Sequence, residues 1–163
     1  MQRRHLLALG ASAWLTGCGF ELRREPEFHF QTVALAGFAA NSPLALELKR
    51  QIQRTPLKLL EDPNRAQVVL EAQRDWRDKS SVATTSAGQI REWQLKLSLD
   101  YLIRTAGGDI LLPVTELRLA RDMNYTESNA LAKEQEEAAL QKAMQVEAVG
   151  LLLRRLAAIH LPG

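Results

Sequence analysis

Alternation is strongest between residues 92 and 104, where Trp93, Leu95, Leu97, Leu99, Tyr101 and Ile103 interleave with Glu92, Gln94, Lys96, Ser98, Asp100 and Arg104. A period of two held this long predicts a strand with one buried face and one wet face. Val68, Leu70, Ala72 and Trp76, set against Glu71, Gln73, Asp75 and Arg77, predict a neighbouring strand with those four apolar residues on one face. Ser80 to Gln89, poor in bulky residues, reads as the hairpin tip between them. Ala106-Gly107-Gly108-Asp109 supplies a second turn. The returning strand, Ile110 to Met123, changes phase near Pro113, which calls for a bulge or an edge position. Earlier in the chain, Phe28, Phe30 and Thr32 alternate into Val33, Ala34 and Leu35 as a first strand, and Leu57 to Leu60 forms a short second one.

The period lengthens in two places. Ser42-Pro43 is a capping residue followed by a proline at the first helical position, and Leu44, Leu48 and Ile52 recur at four-residue intervals, so a helix is expected from Pro43 to Arg54. A long helix is expected from Ala130 to Ala158, capped by Ser128 or Asn129. Its apolar stripe runs through Leu140, Met144, Ala148, Leu151 or Leu152, and Leu156. Its acids (Glu134, Glu136, Glu137) come early and its bases (Arg154, Arg155, His160) late, as the helix dipole favours. The architecture that buries all these stripes is α+β: a mostly antiparallel four- to five-stranded sheet with two helices packed on one face.

Composition narrows the class. The 163 residues are 46% hydrophobic, 25% charged and 6% aromatic, a globular balance. A single Cys excludes a disulfide scaffold and a Cys-based zinc site. The longest apolar run, Leu6 to Leu15, is about half of what a membrane span needs. That run is instead the middle of a three-part secretory leader, with Arg3 and Arg4 before it and small residues after it. Setting aside residues 1–17 removes two bases and no acid, leaving 19 basic against 19 acidic side chains. The basic isoelectric point therefore says nothing about nucleic acid.

Leu15-Thr16-Gly17-Cys18 resembles the bacterial lipobox, in which the Cys thiol receives a diacylglycerol and becomes residue one after cleavage. The resemblance implies a cleaved lipoprotein-type signal at 1–17, a lipidated Cys18 with a tether over 18–27, and one domain over 28–161. Gly19, rather than Asp, follows the Cys, which by resemblance to the inner-membrane retention rule favours the outer membrane. Arg3-Arg4-His5-Leu6-Leu7 also resembles a twin-arginine signal, but no cofactor motif requires folding before export.

Catalytic chemistry is not announced. There is no His-Glu-x-x-His, Gly-x-Ser-x-Gly or Gly-rich phosphate loop. His29 and His160 are far apart in sequence, and Glu134, Glu136 and Glu137 beside Lys133 read as a solvated helix start. No cofactor or metal is expected. The polar side of the strands, Glu71, Gln73, Asp75 and Arg77 with Glu92, Gln94, Lys96, Ser98, Asp100, Glu116 and Arg118, is a broad mixed-charge surface. Such a face suits water or another wet surface, such as the polar lumen of a transmembrane barrel. Pattern alone leaves both open.

Leu15 to Arg23, with its Cys-Gly-Phe-x-Leu-Arg run, resembles the opening of the LptE family of LPS-assembly lipoproteins. The likeness continues at Gly88-Gln89-Ile90-Arg91-Glu92-Trp93-Gln94-Leu95, at Arg121-Asp122-Met123-Asn124-Tyr125, and at Ala130-Leu131-Ala132-Lys133-Glu134-Gln135-Glu136-Glu137. Trp93 stands where a Tyr is usual in the family. The resemblance implies a non-enzymatic outer-membrane lipoprotein with its domain on the periplasmic side, within the lumen of the LptD barrel. Its implied work is to help LptD assemble, to plug it and to bind LPS. Phosphates of LPS call for Lys or Arg near a mobile tip, which selects Lys133 and Arg91. Gln94, Lys96, Ser98 and Arg118 are the expected partner-binding side chains. A generic envelope scaffold, binding another complex or the cell wall through its sheet edge, is the alternative, with a membrane-tethered hydrolase as a third class.

Overall fold

The computed structural model describes residues 26–125 and 130–162. The leader, Cys18 and most of its tether, and the capping residues Ser128 and Asn129, lie outside the described residues. The elements are β1 (Thr32–Ala36), α1 (Pro43–Ile52), β2 (Lys58–Leu60), a single 3-10 turn (Pro63–Arg65), β3 (Val68–Thr84), β4 (Ile90–Thr105), β5 (Ile110–Asn124) and α2 (Ala130–Ala157).

They form one five-stranded sheet in the order β2-β1-β3-β4-β5. The long strands β3, β4 and β5 pair antiparallel, as the alternation predicts. The short strands β1 and β2 join parallel to each other, and β1 joins β3 parallel, because α1 carries the chain back between β1 and β2. β1 begins at Thr32, so Phe28 and Phe30 lie ahead of the strand rather than in it, although Phe30 is buried. β3 runs on to Thr84, and the turn is confined to the next few residues. At the other hairpin the Thr105 amide donates to the Asp109 carbonyl at 2.9 Å, and Gly108 has the positive φ that the turn requires.

Both helices lie on one side of the sheet. In α1 the Ser42 oxygen accepts the Ala45 amide at 3.1 Å, and Leu44, Leu48 and Ile52 are wholly buried. Each such side chain contributes about 1.5–3 kcal/mol by leaving water. In α2 the buried stripe is Met144, Ala148, Leu152 and Leu156, with Leu140 partly buried, so Leu152 rather than Leu151 takes the inner position. These residues pack on Val33, Val68, Leu70, Leu95, Leu97, Leu99, Tyr101 and Ile103. β1 leaves the sheet at Gly37, where a Cβ would stand 2.0 Å from the Ala72 carbonyl oxygen.

A further expectation fails, and its cause is local. The β3–β4 register steps between Ala72 and Arg74, so Gln73 is an extra residue in β3. Beyond it the faces exchange. Asp75 stands opposite Leu99, Arg77 opposite Leu97 and Lys79 opposite Leu95, all on the helix side. Trp76 stands opposite Ser98 on the other side and is 48% exposed, not in the core with Val68, Leu70 and Ala72. The phase change near Pro113 is as expected: Tyr101 pairs with Thr115 but Ile103 with Leu112, and β5 is an edge strand.

Candidate functional site

The side of the sheet without helices is the largest polar feature of the fold. β4 supplies Gln94, Lys96, Ser98 and Asp100 to it, because these alternate with the buried odd-numbered row. β5 adds Glu116, Arg118 and Asp122 in register with Asp100, Ser98 and Gln94. The bulge brings Arg74, Trp76 and Asp78 to this face in place of Asp75 and Arg77. The alternation carried no signal for that exchange, since every residue from Arg74 to Ser81 except Trp76 is polar.

Ion pairs and hydrogen bonds hold the face. Arg118 Nε donates to Glu116 at 2.9 Å, and Gln94 Nε2 donates to Asp122 at 2.8 Å. Arg74 lies 5.9 Å from the Trp76 ring centre, which ties a cation to a large exposed apolar group. Ser98 lies between Trp76 and Arg118 in register and is only 6% exposed. Of the four residues expected to touch a partner, Ser98 is thus covered by its neighbours, while Gln94, Lys96 and Arg118 reach the surface. One Asp100 carboxylate oxygen is buried without a hydrogen-bond donor among the described residues.

The two cations expected at the tip occupy the same end of the molecule without forming one cluster. Arg91 is exposed near the start of β4 and lines a hollow of about 550 Å³ with Thr85, Gln89 and Tyr125. Its carbonyl accepts the Tyr125 amide at 2.8 Å, which fastens the end of β5 to the tip. Lys133 is on the first turn of α2, its Nζ 2.7 Å from Glu136 and its side chain 19% exposed. One turn on, Glu137 accepts from Lys79 Nζ at 2.5 Å and from Gln141 Nε2 at 3.1 Å. Glu137 therefore docks α2 onto β3 and is not the freely solvated acid that its sequence neighbourhood suggests. Lys79 also lies 4.7 Å from the Trp93 ring centre, and Trp93 meets Tyr125 edge to face.

Elsewhere, His29 and His160 stack with ring centres 4.1 Å apart, joining the approach to β1 to the residues after α2. Glu71 accepts from Arg104 Nε at 2.7 Å, and that bond, helped by Gln73, holds its carboxyl below the usual range against partial burial. Burial pushes the Tyr101 phenol up, opposed by Arg155. Among the described residues no three His, Cys, Asp or Glu side chains gather as a metal site, and no helix is long and apolar enough to cross a membrane.

Comparison with known proteins places this geometry. The family model described as LptE, lipopolysaccharide-assembly, matches residues 30–156. A protein of Pectobacterium atrosepticum named LPS-assembly lipoprotein LptE is 28% identical, over 97% of this chain and 87% of that one. One of the same name from Photorhabdus laumondii is 26% identical, over 94% and 85%. The solution structure of an uncharacterized lipoprotein B from Nitrosomonas europaea superposes with a TM-score of 0.74 at 28% identity, covering 86% of this chain and 91% of that one. The crystal structure of the rare lipoprotein B from Shewanella oneidensis has a TM-score of 0.66 at 20% identity, covering 78% and 95%, and shares the fold.

Proposed function

The chain belongs to the LptE lipopolysaccharide-assembly family, and from that premise we propose that it is an outer-membrane lipoprotein that helps the LptD barrel assemble, plugs its lumen and binds LPS on its way to the surface. The observation that carries this reading is the helix-free face. Two helices cover one side of the sheet, and the other side keeps a broad set of charged residues and a half-exposed Trp76 in contact with solvent rather than a third layer. A tryptophan with a polar surround is the composition of an interface centre, and internally paired charges match a wet lumen wall better than a dry subunit contact.

The remaining parts follow from the premise and the chemistry. Acyl chains on Cys18 hold the domain at the membrane, since each buried methylene contributes roughly 0.8 kcal/mol. Arg91 and Lys133 supply donors for the phosphates of LPS. No step of this work requires a covalent intermediate, so the role is binding and assembly rather than catalysis.

A second reading has its own observation. Among the described residues the outer edge of β5 is unpaired along its length, as is that of β3 beyond Ala72, and free edges accept added strands. This favours a scaffold that binds another envelope complex. Pro113 and the charges of β3 work against it, because they are the devices that keep edges unpaired. Photocrosslinkers at Gln94 and Arg118 in cells separate the two: capture of an outer-membrane barrel supports the plug, whereas capture only from positions along β5's outer edge rejects it.

A further inference from the structure

His29 and His160 come from opposite ends of the described chain, and each is carried by backbone that buried neighbours fix. Phe30 is buried beside His29 and meets Phe28 edge to face, with ring centres 5.9 Å apart. Ile159 is buried beside His160, and its amide donates to the Leu156 carbonyl at 3.0 Å, closing the end of α2. Both imidazoles are exposed, with ring centres 4.1 Å apart and planes 23° from parallel. The His160 Nδ1 lies 3.2 Å from the Ala158 carbonyl oxygen. A carbonyl only accepts, so Nδ1 carries the proton and Nε2 of the neutral ring keeps its lone pair. Metal-binding histidines are commonly held in this way, with the other ring nitrogen donating to a carbonyl.

We propose that His29 and His160 form a two-nitrogen site for a divalent late transition-metal ion, with water in its remaining positions, which clips the segment ahead of β1 to the residues after α2. A metal–imidazole bond is about 2.0–2.1 Å long, so two nitrogens on one ion stand no more than about 4 Å apart. The ring spacing of 4.1 Å already matches that reach. Nearly parallel rings hold their lone pairs side by side, so binding requires the exposed His29 ring to tilt toward His160 while the backbone stays in place. The same two segments carry exposed Glu27, ahead of His29, and exposed Arg154 and Arg155, in the last turn of α2. These charges create no acidic field, so affinity comes from nitrogen coordination. That chemistry suits Cu²⁺, Ni²⁺ and Zn²⁺ and not the oxygen-seeking Mg²⁺. The site uses neither Arg91, Lys133 nor the helix-free face, and the inference does not depend on the role proposed above.

The test is titration of the purified full chain with Cu²⁺, Ni²⁺, Zn²⁺ and Mg²⁺ as simple salts. Cu²⁺ is expected to bind most tightly, Ni²⁺ and Zn²⁺ less so, and Mg²⁺ not at all. Electron paramagnetic resonance of the copper form is expected to show two coordinated nitrogens, and Zn²⁺ to shift the ring protons of both histidines by NMR. Zn²⁺ is also expected to raise the melting temperature, because an ion held only by the folded chain adds stability. His29→Phe and His160→Phe each keep an aromatic ring but lose one nitrogen, and each is expected to weaken Cu²⁺ about tenfold or more and to abolish the rise with Zn²⁺. His5→Ala, in the leader, is expected to change neither. Wild-type copper affinity in both Phe variants, or its loss in His5→Ala, overturns the proposal by placing the ion elsewhere. Failure of Cu²⁺ to bind overturns it in favour of a stacked pair only.

Discussion

Ser42 and Asp75 are joined by a hydrogen bond that ties the start of α1 to β3 just beyond its bulge. The same Ser42 oxygen accepts the Ala45 amide, so one buried hydroxyl caps a helix and neutralises the cost of a carboxylate on the helix side of the sheet. The bulge, the cap and the placement of α1 are therefore one device.

Ser42→Ala removes both bonds at once. Loss of a helix cap costs about 0.5–2 kcal/mol, and the part-buried Asp75 carboxylate stripped of its donor adds up to about 1 kcal/mol. The melting temperature followed by circular dichroism is expected to fall by roughly 4–12 °C for a domain of this size. Ser42→Asp keeps a capping oxygen but sets a second acid against Asp75, so it is expected to rescue poorly at neutral pH. A Ser42→Ala melting point within a degree of wild type would show that the two bonds carry no stability.

Acid sensitivity follows from two carboxylates. Gln51 and Arg50 hold Glu47 below its ordinary value against the cost of burial, and Arg104 with Gln73 does the same for Glu71. A carboxyl whose folded pKa is depressed contributes stability that is complete above its unfolded value, here 4.5 for both, and is lost as pH falls toward the folded value. Urea midpoints are expected to be flat from pH 7 to about 5 on this account and to drop below about 4.5. Glu71→Gln is expected to lower the neutral plateau and to make the drop shallower. A drop of unchanged depth in that variant would assign the acid sensitivity elsewhere.

Trp76 and Leu99 provide opposite expectations from the same sheet. Leu99 is fully buried under the helices, so Leu99→Ala is expected to cost about 2–5 kcal/mol. Trp76 faces away from them, so Trp76→Ser is expected to change unfolding stability by less than about 0.5–1 kcal/mol. If the chain plugs a barrel as proposed, the effect is expected there instead: co-purification with the outer-membrane barrel in detergent falls several-fold. Loss of stability comparable to that of Leu99→Ala would mean that the helix-free face is folded against something within the chain.

What the sequence revealed and what it concealed have separate physical origins. β4, α1 and the stripe of α2 were legible because each buries one face and leaves the other wet, so their period is written in the residue types. Pro113 called for a bulge or an edge position in β5, and the strand has both, since a missing amide costs least there. The β3 exchange was concealed because residues after Gln73 have no apolar row to count, and Trp76 fell in phase with Leu70 and Ala72 by position alone. Parallel pairing of β1 and β2 depends on where α1 docks, which no local pattern states. His29 and His160 meet only because the first and last described segments pack side by side.

Lys133 is occupied before any ligand arrives. Its ammonium is bonded to Glu136, so a phosphate must displace that carboxylate, whereas Arg91 is open to solvent. If both cations hold LPS, removing charge and removing the competitor should act in opposite directions. Lys133→Glu is expected to weaken LPS binding roughly five- to tenfold, about the worth of one charge-assisted hydrogen bond at an accessible site, and the double change with Arg91→Glu to weaken it further. Glu136→Gln is expected to strengthen binding two- to threefold by freeing the ammonium. Binding is measured on the purified full chain with labelled LPS at fixed ionic strength, because surface electrostatics depend on salt. Far-UV circular dichroism should stay unchanged throughout, as each side chain lies at or near the surface of an element end. Wild-type affinity in the double variant takes both residues out of the mechanism. A Glu136→Gln variant that binds more weakly would mean that the Lys133–Glu136 pair, rather than the free lysine, is what the ligand meets.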